Sequence, residues 1–161
     1  MAVVDLAELP GALPPGPMGR GAPIVGLDLG SKTIGVAVSD GGLMIASPVA
    51  LIRRTKFTAD AEALFKLMDS RGAGGAVIGL PVNMDGTEGP RCQSARAFAR
   101  NLLRLKEIPI AFWDERLSTE AVNRMLIDEA DTTRARRAEL VDKAAAAWIL
   151  QGALDRLRSA R

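Results

Sequence analysis

Apolar positions along the chain follow two rhythms. Short runs at 24–29, 34–38, 49–53, 76–80 and 109–113 are rich in β-branched or aromatic residues and bounded by Gly, Pro, Asp or Ser, which predicts five strands. Between and after them the spacing becomes helical. Ala61, Leu64, Leu67 and Met68 predict an amphipathic helix over 58–70, closed by Arg71-Gly72. Ala95, Phe98, Ala99, Leu102 and Leu105 predict another over 91–106, with Pro90 in its first turn. Ser118 can cap a helix over 119–129, the polar stretch 131–137 reads as a mobile loop, and 138–157 is the last helix. Three strands followed by helix, strand, helix, strand and two helices describe an α/β sheet of five strands, antiparallel at the start and parallel later. Residues 1–23 carry Pro10, Pro14, Pro15, Pro17 and Pro23 among Gly11, Gly16, Gly19 and Gly21. They are expected to form a flexible tail outside a domain spanning 24–158.

Acids interrupt this pattern at three places. Asp28 lies inside the apolar first strand, where the period of two puts it on one face with Gly26 and Gly30, and Val25, Leu27 and Leu29 on the other. A buried unpaired carboxylate costs several kcal/mol, so Asp28 requires a cation, a metal or hydrogen bonds from local backbone amides. Glu115 stands where the fifth strand leaves the sheet, a position at which α/β folds expose reactive groups; pairing with Arg116 is the alternative. Asp142 has Ala145 and Ala146 three and four residues on, a face of little bulk that can press against the sheet and bring the acid near Asp28. Its alternative is a solvated charge paired with Lys143 or Arg137.

Composition narrows the chemistry. The 161 residues contain no His and a single Cys, Cys92, which removes Ser-His-Asp triads, histidine proton shuttles, CxxC redox pairs and the usual zinc sites. Carboxylate, lysine, hydroxyl or oxygen-ligated metal chemistry remains. A net charge of +2 and a pI near 9.0 suit a nucleic-acid partner without requiring one. Candidate contacts are Asn83 and Arg91, flanking a loop before a helix N-terminus, the α-helical stripe Arg96, Arg100 and Arg104, and the cluster Arg134, Arg136 and Arg137. Each also has a plain reading as solvated surface. Trp113, Trp148 and Cys92 follow core patterning. No run approaches a membrane span and no export signal precedes the domain, so a cytoplasmic protein is expected. GLDLGSKT superficially suggests a phosphate loop, but its glycine spacing is too short and Ser31 separates Gly30 from the lysine.

The segments GLDLGSKTIGVAVSD, IGLPVNMDGTEGPR, WDERLST and VDKAAAAWILQ together resemble the four motif blocks of the YqgF/RuvX family, Holliday-junction-resolvase-like proteins assigned to pre-16S rRNA processing. The resemblance covers about residues 24–153. It implies an RNase H-like fold, a five-stranded mixed sheet flanked by helices. It implies catalytic and metal-ligating roles for Asp28, Glu115 and Asp142, with Mg2+ or Mn2+ and phosphodiester hydrolysis. Oxygen donors suit those ions, and Asp28, on the central strand, is expected to bridge between them. Where many relatives have arginine this chain has Thr33, which leaves Lys32 as the basic candidate beside the first acid. The implied partners are structured RNA or branched DNA and ribosomal precursor particles, with no membrane, the protein being a monomer or weak dimer. Two other classes stay open: a phosphotransferase of the actin and sugar-kinase type, for which one domain is too short, and a catalytically idle ribosome-assembly binder.

Overall fold

The computed structural model describes residues 3–16, 21–117 and 134–159, with side chains for all of these except 134–143. Its strands are β1 (Ile24–Leu29), β2 (Thr33–Ser39), β3 (Ala46–Arg53), β4 (Gly75–Leu80) and β5 (Ile110–Asp114), and its helices are α1 (Leu9–Ala12), α2 (Phe57–Arg71), α3 (Pro90–Leu105) and α4 (Arg134–Ser159). The strands form one sheet in the order β3-β2-β1-β4-β5. The β1–β2 and β2–β3 pairs are antiparallel, whereas β1–β4 and β4–β5 are parallel, as the element order predicts. The expected helix over 119–129 and its Ser118 cap lie outside the described residues.

Alternation sorts the strand side chains into two layers. Val25, Leu27, Ile34, Val36, Ala76, Ile78 and Ile110 pack on one face with Ala61, Leu64 and Met68 of α2 and with Ala95, Phe98 and Leu102 of α3. Ile24, Ala37, Val77, Ala111 and Trp113 pack on the other with Ala146, Ile149, Leu150, Ala153 and Leu154 of α4. Cys92 is fully buried in the first layer, and Trp113 is a core residue of the second. Gly26 lets α4 approach the central strand: a Cβ there would fall 2.6 Å from Leu150 Cβ and 3.1 Å from the Ala146 carbonyl oxygen. That close approach sets the height of the helix above Asp28, two residues along on the same face of β1. At the far end of α2, Gly72 adopts φ 70°, the left-handed conformation that ends a helix without a Cβ penalty.

Three expectations change. β3 begins at Ala46 and so includes Ser47 and Pro48; it is an edge strand, and the register shifts between Val36 and Ala37 opposite Pro48, so the missing N–H is tolerated. Residues 134–137, expected in a mobile loop, form the start of α4, because Arg and Ala are strong helix formers and no Gly or Pro interrupts RARRAEL. Nor are residues 3–16 a free tail. Val4 N–H donates to the Ile110 carbonyl at 2.8 Å, and Val3 forms a parallel bridge with Ile110 at the outer edge of β5. Leu9 is fully buried in the α4-side layer, with Val4, Leu6 and Leu13 packed around it. The Leu6, Leu9 and Leu13 spacing is the apolar stripe that carries this docking, and the prolines between and after them shape the turns without displacing it.

Candidate active site

The two described acids of the implied triad come from neighbouring parts of the sheet's C-terminal end. Asp28 is aligned with Gly35 of β2, and the β1–β4 register that pairs Leu27 with Ile78 sets Asp28 beside Gly79. Gly79 pairs in turn with Trp113 of β5, after which Asp114 ends the strand and Glu115 opens a single 3-10 turn. Gly79 leaves the space that Glu115 occupies: a Cβ there would lie 3.0 Å from Glu115 Cγ, 3.1 Å from its Cδ and 2.6 Å from Ile149 Cδ1. The carboxyl therefore folds back over the sheet instead of pointing into solvent.

The electrostatics agree with this placement. Burial, then the negative charge of Asp28, pushes the Glu115 carboxyl up to about 7 from its ordinary 4.5; the Arg91 guanidinium opposes the rise and Asp114 adds to it. Arg116 turns to Asp114, donating from Nε at 2.9 Å and from Nη2 at 2.6 Å, and these bonds hold the Asp114 carboxyl below its usual range. The alternative in which Glu115 simply pairs with Arg116 is thereby displaced. Asp142 stands on α4 one helical turn before Ala146, the residue whose carbonyl meets Gly26; its side chain lies outside the described set.

Two partly buried carboxylates, one made hard to ionise by burial and then by the charge of the other, are a donor set that a hard divalent cation suits: it supplies the positive charge that offsets both burial and mutual repulsion. Gly79 is the cradle that makes room for one of them. Among the described residues no group of three such ligands occurs; α4, the helix that carries Asp142, packs over β1.

Beside the acids runs a basic groove. A cavity of about 1020 Å³ is bounded by the β1–β2 turn, Gly30 to Thr33, together with Arg53, Arg54 and Arg91. A smaller one of about 210 Å³ continues it past Arg54 and Arg91 to Ser94 and Ala95 of α3. Arg54 Nη1 donates to the Gly30 carbonyl at 2.7 Å, and Arg54 N–H donates to the Lys32 carbonyl at 2.8 Å, so the turn after Asp28 is tied to the end of β3. Its guanidinium also sits 5.8 Å from the centre of the Phe98 ring, a cation–π contact that keeps it against α3.

The other predicted contacts divide. Lys32 and Arg91 line the groove. Asn83 instead organises its own loop, donating from Nδ2 to Thr87 Oγ1 at 3.0 Å, with Gly86 at φ 91° completing the turn. Arg96 is held by Glu88 through two bonds of 2.8 Å and lies 4.9 Å from the Phe112 ring centre. Arg100 and Arg104 are exposed along α3 away from the groove lining, and the side chains of Arg134, Arg136 and Arg137 lie outside the described set. Sequence reading missed Arg53 and Arg54, which line the groove. Their signal was the basic doublet at a strand end, but it becomes local to Asp28 only through the antiparallel pairing of Thr33 with Arg53.

Comparison with known proteins bears on fold and family. The family model described as RuvX, Holliday junction resolvase, matches residues 22–156. A protein of Phenylobacterium zucineum carrying the name "Putative pre-16S rRNA nuclease" is 74% identical over 160 residues, covering 99% of both chains. One of the same name from Caulobacter vibrioides strain NA1000 is 66% identical over 159 residues, covering 98% of this chain and 99% of its own. Among solved structures, Thermus thermophilus RuvC in complex with a Holliday junction substrate aligns with a TM-score of 0.51 at 11% identity, over 84% of this chain and 96% of its own. That likeness shows the RNase H-like fold. Among the described residues no helix is long and apolar enough to cross a membrane. With the family model spanning residues 22–156 and relatives of 66% and 74% identity matched over nearly their full length, the chain belongs to the RuvX family of Holliday-junction-resolvase-like proteins.

Proposed function

We propose that this protein is a divalent-metal-dependent nuclease that hydrolyses phosphodiester bonds, and that its task is 5′ processing of pre-16S rRNA in the cytoplasm. The observation that carries the reading is the Asp28–Glu115 pair, in which burial and the Asp28 charge keep a carboxyl near neutrality beside a groove lined by cations. The names of the full-length relatives support the RNA substrate.

Asp28 and Glu115, with Asp142 as third donor, would hold Mg2+ or Mn2+. When bound, such an ion lowers the pKa of an attacking water and stabilises the leaving oxygen. Every other contribution is the chain's own. Asp28 is fixed by the central strand and by the turn that Arg54 ties down. Glu115 is fixed by the space over Gly79 and surrenders its proton near neutral pH. Arg91, whose charge reaches Glu115, and Lys32 across the groove orient the substrate phosphate toward the acids.

The family description and the RuvC fold favour a second reading, resolution of four-way DNA junctions. Both are tested together by incubating labelled pre-16S rRNA and a labelled four-way junction with wild type and Asp28→Asn in Mg2+, Mn2+ or EDTA. Cleavage of the RNA that needs metal and is lost in the variant supports the proposal. Cleavage of the junction alone moves the substrate to DNA, and absence of cleavage of either leaves a binding protein and defeats the nuclease reading.

A further inference from the structure

We infer that the substrate's phosphate backbone runs along the groove formed by Lys32, Arg53, Arg54 and Arg91, across the β1–β2 turn and the end of β3, rather than along the arginine stripe of α3. The inference rests on the nuclease reading for the identity of its ligand, a nucleic-acid strand, and adds where that strand lies and which side chains hold it.

Elsewhere on the described surface some cations are matched in place: Arg96 by Glu88, Lys106 by Asp69, Arg116 by Asp114 and Arg158 by Asp155. Lys56, Lys66, Arg71, Arg100, Arg104 and Arg156 have no ion pair among the described residues but line neither part of the groove, so what sets the groove apart is convergence. Among the described residues none of Lys32, Arg53, Arg54 and Arg91 is within ion-pair distance of an acid, although four positive charges converge on one concavity. Like charges gathered without counter-ions repel, and the arrangement is relieved by a polyanion whose charges are spaced along a line. A single compact anion would not need a groove that extends past Arg54 and Arg91 to Ser94.

Arg54 has a second role as a positioning residue. One of its guanidinium nitrogens is committed to the Gly30 carbonyl, two residues after Asp28, while the same side chain lines both parts of the groove. A phosphate drawn to Arg54 is therefore drawn to the turn that carries the first acid. Arg91 links the groove to the second acid through its charge on Glu115.

Binding of a fluorescein-labelled single-stranded oligoribonucleotide and of a four-way DNA junction by the full-length chain, followed by anisotropy over a salt series in EDTA, separates this from cleavage. Each phosphate contact contributes about 0.7 (single strand) to 0.9 (duplex) to the slope of log K against log salt. Lys32→Gln and Arg53→Gln should each lower the slope on at least one probe by about that amount, their combination by about twice it, and Arg53→Lys should restore it. Arg100→Gln and Arg104→Gln should leave it unchanged. Slopes that fall for the α3 variants and not for Lys32→Gln or Arg53→Gln overturn the inference, as does binding without salt dependence. If the slopes fall as expected but wild type cuts neither substrate with Mn2+, the track stands and the nuclease reading fails. If wild type cuts and the groove variants bind with unaltered slopes, the nuclease reading stands and the track fails.

Discussion

Asp114 and Glu115 are adjacent in sequence, yet they belong to two differently organised regions. On the side of the loop between β4 and α3, charges are neutralised where they stand: Arg116 holds Asp114, and Arg96 holds Glu88. On the side of the β1–β2 turn, acids are gathered with acids and cations with cations, so that Glu115 is crowded by Asp28 while the groove arginines lack acid partners among the described residues. Paired charges stiffen a loop. An acid pair beside a concavity lined by cations is the arrangement that the proposed metal-assisted phosphodiester cleavage would use.

Substitutions sharpen that contrast in order of effect. Asp28→Asn or Glu115→Gln removes one member of the acid pair and should lower metal-dependent cleavage at least about 10³-fold, read from single-turnover rates with the fold checked by circular dichroism. Gly79→Ala keeps both acids but pushes a methyl against Ile149 Cδ1 and into the Glu115 side chain. Displacing Glu115 in this way is expected to cost about 10- to 100-fold in the same assay, and the contact with Ile149 about 1 kcal/mol of stability, which urea unfolding measures separately.

Stability of the metal-free protein should carry the mark of Glu115. Its carboxyl is raised from 4.5 to about 7, so between those values the folded state binds the proton that the unfolded state has released. The stability associated with this group is full below 4.5 and is lost as pH rises through about 7. In EDTA, Glu115→Gln should match wild type near the lower limit and exceed it by about 2 kcal/mol above the upper one, once solvent screening of this partly exposed group is allowed for. Urea unfolding at several pH values measures the difference, and a wild type that gains stability with rising pH relative to the variant would refute it. The smallest effect belongs to the paired region. Arg96→Gln breaks an exposed ion pair with Glu88 and should change stability by less than about 1 kcal/mol and leave cleavage within a few-fold of wild type.

Much of this organisation is legible in the chain. Strand rhythm identifies all five strands, and the face shared by Gly26, Asp28 and Gly30 follows from a period of two alone. The close approach of α4 was implied by the small residues after Asp142, of which Ala146 is the one that meets Gly26. What the sequence hid depends on contacts distant along the chain. Arg53 and Arg54 look like a strand terminus until the β2–β3 register lays them against the turn after Asp28. The stripe Arg96, Arg100, Arg104 reads as a unit by periodicity, but Glu88, eight residues before Arg96, removes its first member. Residues 1–23 read as a flexible tail because five prolines and four glycines interrupt any long apolar rhythm, and the burial of Leu9 shows that part of the segment completes a core.

On the proposed reading Asp28 and Glu115 together hold a divalent cation, and Mn2+ binding near neutral pH, followed by calorimetry in buffers of different ionisation enthalpy, reads this out without any cleavage step. Because Glu115 titrates at about 7, wild type should release a fraction of a proton on binding at neutral pH and bind more tightly as pH rises, whereas Glu115→Gln should bind more weakly and release none from this site. Equal Mn2+ affinity and equal proton release in wild type, Glu115→Gln and Asp28→Asn would contradict the account.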